Sequence, residues 1–208
     1  MKPPRQVNNM DMHKEYSKRK SEIEGRLKEF KQVNGKDLFY ELCFCLLTPQ
    51  SKAKNADFCI KEMKKMNFLE NGFDPTAILK QKIRFHNNKG KYLLEMREKY
   101  HGLKDELKRI KDNKEKREFL VKNVKGISWK EASHYLRNTG HENLAILDRH
   151  ILNNLVKMKA INELPKSLTK KKYFEIEEKF LEFAKKSGIP MDHLDLLFWS
   201  METGEVFK

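Results

Sequence analysis

The stretch NKEKREFLVKNVKGISWKEASHYLRN, residues 113–138, decides the fold. It is typical of a helix over 114–123, a tight turn, and a second helix that follows at once. Gly126 supplies the positive φ that such a turn needs. Ser128, with Glu131 three residues later, forms the sequence pattern of an N-terminal capping box. The stretch therefore predicts two helices joined by a short glycine-containing hairpin.

The same hairpin predicts a phosphate contact. A turn that opens into a helix leaves backbone N–H groups at the positive end of the helix dipole, and this geometry binds phosphate. Lys125 adds a positive charge, and Ile127 can fill the gap between the two helices. A glycine-containing helical corner that binds no ligand is equally compatible with this stretch taken alone.

Apolar residues recur at helical spacing along most of the chain, without the alternation typical of strands. Asn-Gly pairs at 34–35 and 71–72, with later glycines and prolines, divide the chain into about ten short helices. Residues 1–13 contain two prolines and many polar residues, so we expect a flexible tail there, followed by one helical domain over 14–208. The fold class predicted is all-α.

The charge of the chain favours a polyanionic partner. Lys and Arg number 44 against 30 Asp and Glu, which gives a formal charge of +14. Nucleic acid is the first candidate partner and an anionic membrane surface the second. A charged surface that serves solubility or heat tolerance remains an alternative.

We expect no membrane span and no secretory signal. No apolar run approaches the roughly 20 residues of a membrane-spanning helix, and the N-terminus is polar. These features predict an intracellular protein, cytoplasmic or associated with the nucleoid.

The three cysteines predict reduced interior thiols. Cys43, Cys45 and Cys59 lie in apolar helical sequence, and the chain has no C-x-x-C pair. Such a set cannot build a zinc ribbon or a cysteine-ligated iron–sulfur cluster. We therefore expect neither a metal nor another cofactor.

Lys130 is the candidate nucleophile. It falls in the first turn of the second hairpin helix, where the helix dipole and the neighbouring Lys122, Lys125 and Arg137 disfavour a further positive charge. These neighbours favour the neutral amine that a nucleophile requires. Position alone would favour an exposed surface lysine.

Asp148 is the candidate carboxylate partner. It ends the apolar run over 144–147 and has the position of a helix N-cap. A backbone-bonded, ionised carboxylate at this point could stabilise a developing cation, as the cleavage of a glycosidic bond requires. An N-cap aspartate with no further role is the alternative.

The motifs KGISWKEASH at 125–134 and LDRH at 147–150 resemble the helix-hairpin-helix DNA glycosylase superfamily, with the lysine–aspartate spacing of its bifunctional members. The chain is similar in particular to the archaeal-type 8-oxoguanine DNA glycosylase/AP lyases, from about Leu38 to its last residue. The departures are Ser128, in place of a second glycine, and Pro49-Gln50, in place of alanine-asparagine. Further matching segments are 42–48, 84–85, 117–121, 195–199 and 204–208.

The resemblance implies a two-lobed helical bundle whose active-site cleft lies between the lobes. It also implies that Lys130 attacks the sugar of a flipped 8-oxoguanine nucleotide in duplex DNA, while Asp148 stabilises the positive charge that develops. The Schiff base that results would allow β-elimination of the 3′ phosphate, so that the chain would be both a glycosylase and a lyase.

The same resemblance assigns residues to recognition. Guanine carries a bare acceptor at N7, whereas the oxidised base carries a hydrogen there, so a carboxylate selects the lesion. Phe85 and Trp199 would stack on the flipped base, the terminal carboxylate of Lys208 would accept the N7 hydrogen, and Asp195 would contact the base or cap its helix. The remaining residues implied to contact DNA are Gln50, Lys125, Gly126, Ser128 and Arg149.

Several alternatives stay open on the sequence. The same fold could act on oxidised pyrimidines or mispaired adenine, or the hairpin could serve a binding module without catalysis. A basic protein of membrane surfaces is a more distant alternative. Phe85 and Trp199 could be core aromatics, Lys208 a frayed end, and His134 a core histidine. We expect a monomer that binds double-stranded DNA containing oxidised guanine.

Overall fold

The structure is a computed structural model that describes residues 9–208. This range contains eleven α-helices and no β-strand, which confirms the all-α fold class. The helices are α1 (Asn9–Lys31), α2 (Asp37–Leu47), α3 (Ala53–Lys65), α4 (Phe68–Asn71), α5 (Thr76–Lys80), α6 (His86–Arg109), α7 (Asn113–Asn123), α8 (Trp129–Asn138), α9 (Arg149–Lys157), α10 (Lys170–Ser187) and α11 (Met191–Thr203).

The structure differs from the flexible tail expected over residues 1–13. Residues 1–8 lie outside the described residues, but the chain is helical from Asn9 onward. Met12 is fully buried, and one turn later the Tyr16 hydroxyl lies 2.8 Å from Nδ1 of His193. The expected end of the tail at residue 13 is therefore wrong, because burial of Met12 extends the helix beyond what polar composition indicates.

The described residues form two compact units. The first contains residues 9–31 and 142–208, and the second runs from Gln32 to His141. In the first unit α11 packs against α1, α9 and α10. In the second unit α2 packs against α3, α6 and α8, and α8 also packs against α7.

The core of the second unit is built around α2. Every residue from Phe39 to Leu47 is buried, and burial of each large apolar side chain contributes about 1.5–3 kcal/mol. Cys43, Cys45 and Cys59 are buried free thiols, as the sequence predicts. Burial raises the pKa of the Cys59 thiol to about 11, so this group is a poor nucleophile at neutral pH.

The core of the first unit is built on α11. Phe198 is fully buried, with its ring centroid 6.2 Å from that of Phe180 and 6.5 Å from that of Phe183. None of the helices within residues 9–208 is long and apolar enough to cross a bilayer.

Candidate active site

The hairpin has the geometry that the sequence predicts. Gly126 adopts a φ of +86°, and Ile127 is buried. Both halves of the capping box are formed: the Glu131 amide donates to the Ser128 hydroxyl, and the Ser128 amide donates to the Glu131 carboxylate over 3.1 Å. The Ser128 hydroxyl also contacts the same carboxylate. The turn is exposed at Lys125, Gly126 and Ser128, so these residues are accessible to a phosphate.

Tyr92 covers the turn from α6, and the sequence reasoning missed this contact. A Cβ atom added at Gly126 would lie 2.5 Å from the Tyr92 ring. The Lys125 ammonium lies 5.4 Å from the centroid of the same ring, within the range of a cation–π contact. Tyr92 therefore explains why position 126 needs a glycine for space as well as for backbone conformation.

Lys130 occupies the second position of α8, with about a quarter of its side chain exposed (24%). Its ammonium lies 2.9 Å from Oε1 of Glu131, whose side chain is only 6% exposed. The expectation of a neutral amine rested on neighbouring cations. The structure adds a carboxylate in direct contact, which holds the side chain in one place.

Glu131 is held as an anion. Burial raises the pKa of its carboxyl, but the charge of Lys130 and the hydrogen bonds from Ser128 and Lys130 outweigh burial and lower that pKa overall. One carboxylate thus caps the helix and contacts the candidate nucleophile. Sequence reasoning found only the first of these contacts.

Gln50 and Phe85 lie on exposed loops of the same unit. Both have left-handed backbones, with φ of 54° and 58°. Phe85 is 53% exposed, with the Arg84 guanidinium 5.5 Å from its ring centroid, so it is not a core aromatic. His134, in contrast, is buried, and its ring makes a T-shaped contact with that of Phe44.

Asp148 is the N-cap of α9, as predicted. Its carboxylate accepts a hydrogen bond from the Ile151 amide at 2.8 Å, and the residue is half-buried. The preceding apolar run is buried, and its Ala145 accepts one hydrogen bond from Tyr173 and donates one to Glu177, both on α10. These contacts fix the position of the chain just before Asp148.

The other predicted recognition residues of the first unit lie on α11 and the chain end. Asp195 is buried, and Trp199 follows one turn later, half-buried, with its ring centroid 6.2 Å from that of Phe207. Lys208 is partly exposed at the chain end. The α9 helix, which starts at exposed Arg149, packs against α11, so this unit brings the Asp148 helix and the Trp199 helix together.

Lys130 belongs to the second unit and Asp148 to the first. Within residues 9–208 we find no group of three or more His, Cys, Asp or Glu side chains that could hold a metal ion.

Comparison with known proteins identifies relatives over nearly the whole chain. Residues 23–189 match the family model described as 8-oxoguanine DNA glycosylase. A protein of Fusobacterium nucleatum named 8-oxoguanine DNA glycosylase/AP lyase is 50% identical, covering 95% of this chain and 96% of its own.

Two solved structures have the same architecture. The 8-oxoguanine DNA glycosylase of Thermotoga maritima superposes with a TM-score of 0.86 at 35% identity, covering 96% of this chain and 98% of that one. The Methanocaldococcus jannaschii 8-oxoguanine glycosylase/lyase, in complex with a 15mer DNA containing 8-oxoguanine, gives 0.85 at 34% identity, covering 94% and 98%. The chain thus belongs to the 8-oxoguanine DNA glycosylase family of helix-hairpin-helix proteins.

Proposed function

We propose that this protein excises 8-oxoguanine from duplex DNA and then cuts the backbone, with Lys130 as nucleophile and Asp148 as the carboxylate that stabilises the sugar cation. The observation that carries the proposal is the Lys130 amine, partly exposed in the first turn of the hairpin helix and held 2.9 Å from a buried carboxylate. The relatives named glycosylase/AP lyase and the DNA-bound neighbour support it.

The chemistry follows from these groups. The damaged nucleotide leaves the duplex, because its anomeric carbon is inaccessible in the stack. The Lys130 amine, after losing a proton, attacks that carbon; the glycosidic bond breaks and its electron pair leaves with the base, which takes up a proton. The Asp148 carboxylate stabilises the positive charge that develops on the sugar.

The covalent intermediate then permits strand cleavage. The sugar ring opens to an imine between Lys130 and the former anomeric carbon. The imine acidifies the neighbouring carbon, and loss of its proton expels the 3′ phosphate by β-elimination. One amine therefore serves both the glycosylase and the lyase step.

Recognition would use both units. Phe85 is exposed and Trp199 half-exposed, and each is suited to stacking on a flipped base. The terminal carboxylate of Lys208 would accept the N7 hydrogen that only the oxidised base carries, and Asp195 would contact the same base. Normal guanine lacks this hydrogen, so the carboxylate would have no hydrogen bond to it, and this loss would discriminate against the normal base.

The exposed turn at Lys125, Gly126 and Ser128 would bind backbone phosphate through its amides, with Arg149 at a second point and Gln50 in the gap that the flipped base leaves. Because phosphate contacts release counterions, duplex affinity should fall steeply with salt. That the protein acts as a monomer inside the cell stays a prediction.

Borohydride trapping tests the proposal. A labelled duplex with a single 8-oxoguanine should give a covalent adduct, an undamaged duplex should give none, and Lys130→Gln should abolish the adduct while duplex binding persists. The matched control is Lys122→Gln, which removes one exposed charge from the neighbouring helix. Tight binding without any adduct from the unaltered protein would refute the lyase step and favour a binding module or a monofunctional enzyme.

A further inference from the structure

A buried lysine joins two loops of the second unit. Lys89 lies on α6 and is only 6% exposed. Its ammonium donates to the carbonyl oxygens of Leu47 at 2.8 Å and Pro49 at 2.6 Å, and to the Ser51 hydroxyl at 3.3 Å. An ammonium has three N–H donors, so each of them has an acceptor. The first acceptor is the last residue of α2, and the other two lie on the loop that follows it.

The same hydrogen-bonded residues also contact the loop that precedes α6. The Ser51 hydroxyl also accepts a hydrogen bond from the Arg84 amide at 3.3 Å. The Lys89 amide in turn donates to the Phe85 carbonyl at 3.0 Å. Lys89 and Ser51, which we call the Lys89 latch, thus connect the loop over 47–51 to the residues that precede α6.

Each connected loop holds a residue in an uncommon backbone conformation. Gln50 and Phe85 have φ of 54° and 58°, although neither is glycine. Such conformations persist only where surrounding contacts fix them, and they concentrate at functional sites. Both side chains are exposed, so the latch fixes their backbones rather than burying them.

We infer that the Lys89 latch is a positioning device. It fixes the backbones of Gln50 and Phe85 so that Gln50 can enter the gap left by the flipped base and Phe85 can stack on that base. This inference rests on the proposed function, which assigns those two contacts. Lys89 then acts through the loops and touches neither the substrate nor the reacting atoms.

A competing role for Lys89 is electrostatic. Burial and the charge of Lys130 lower the pKa of Lys89 to about 8, with Glu131 opposing, so the two ammonium groups are close enough to influence each other. A lysine acting through this charge would change the nucleophile itself. The two roles differ on a substrate that needs no base flipping.

The test compares two substrates. Lys89→Met keeps the length of the side chain and removes the three donors. We expect single-turnover excision of 8-oxoguanine to fall about 30-fold, because small misplacement of positioning groups costs up to 100-fold. Trapping on a duplex with a preformed abasic site should stay within about 3-fold, because it needs no base stacking. Lys91→Met, an exposed charge on the same helix, is the matched control.

A variant cycle separates positioning from general destabilisation. In a Gln50→Ala/Phe85→Ala background, Lys89→Met should cause no further loss of excision, since the residues through which it acts are gone. Ser51→Ala removes only one member of the latch and should give a smaller loss in the same direction. Ser51→Ala therefore still tests the latch if Lys89→Met does not fold.

Three results would overturn the latch: unchanged excision in both variants, full additivity in the double background, or equal loss on both substrates with an alkaline shift of the trapping profile. If Gln50→Ala and Phe85→Ala themselves leave excision unchanged, the residue assignments in the proposed function are wrong, and the latch falls with them. If those two variants impair excision while Lys89→Met and Ser51→Ala do not, only the latch is wrong.

Discussion

Replacing Glu131 by glutamine tests how the candidate nucleophile is controlled. The carboxylate lies 2.9 Å from the Lys130 ammonium and holds it by an ion pair. Glutamine keeps an oxygen that can accept from the Ser128 amide, so the helix cap should survive. The negative charge is lost, so the ion pair that holds the Lys130 side chain is lost with it.

The magnitude follows from the distance. Opposite unit charges 2.9 Å apart interact by about 6 kcal/mol at an effective dielectric constant of about 20. The Lys130 side chain is 24% exposed, so solvent screening should leave about 1 kcal/mol of this. Because about 1.36 kcal/mol corresponds to a tenfold change in rate, loss of the ion pair should slow imine formation about 5-fold.

The assay is the rate of borohydride trapping on a duplex with a preformed abasic site, measured at neutral pH. Such a substrate isolates imine formation from base recognition. Glu131→Gln should react about 5-fold more slowly than the unaltered protein, because the amine is no longer held in one position. An unchanged or faster rate would refute the argument that the ion pair holds the amine.

Three further predictions concern the two units separately. Asp148→Asn should slow excision about 100-fold by removing the charge, while asparagine, an equally good N-cap, keeps the melting temperature nearly unchanged. Gly126→Ala should cost about 1–3 kcal/mol in denaturant unfolding and weaken duplex binding, because φ is +86° and the new Cβ would meet Tyr92. Burial and then the charge of Lys116 lower the pKa of His141 below 6.5. The unfolded state therefore binds more protons, and the unfolding free energy should fall as the pH drops below 6.5. His141→Gln should make the unfolding free energy less dependent on pH, as measured in melts from about pH 5 to 7.

The hairpin could be predicted from sequence because its determinants are local. A glycine at the turn, a serine at the cap and a glutamate three residues later each act within one helical turn of the backbone. Asp148 was predictable as an N-cap for the same reason. The structure confirms these elements with the helix limits nearly unchanged.

The contacts missed by sequence reasoning join residues far apart in the chain. Tyr92 lies 34 positions before Gly126, and Lys89 reaches carbonyl groups about 40 positions earlier. Periodicity reports which face of a helix is buried but not which group from another helix meets it. A lysine in a lysine-rich chain also carries no sign that it is buried, and in this protein Lys89 is almost fully so.

The ion pair at Lys130 separates holding the candidate nucleophile from activating it. Glu131 has a lowered pKa, so it is a poor acceptor for a proton from Lys130. The carboxylate is therefore suited to orienting the amine and not to acting as its base, and in the proposed mechanism the proton passes to another acceptor once the nucleotide is bound. A slower trapping rate in Glu131→Gln would support orientation by the carboxylate. A rate that is unchanged or higher would mean that orientation by Glu131 contributes little.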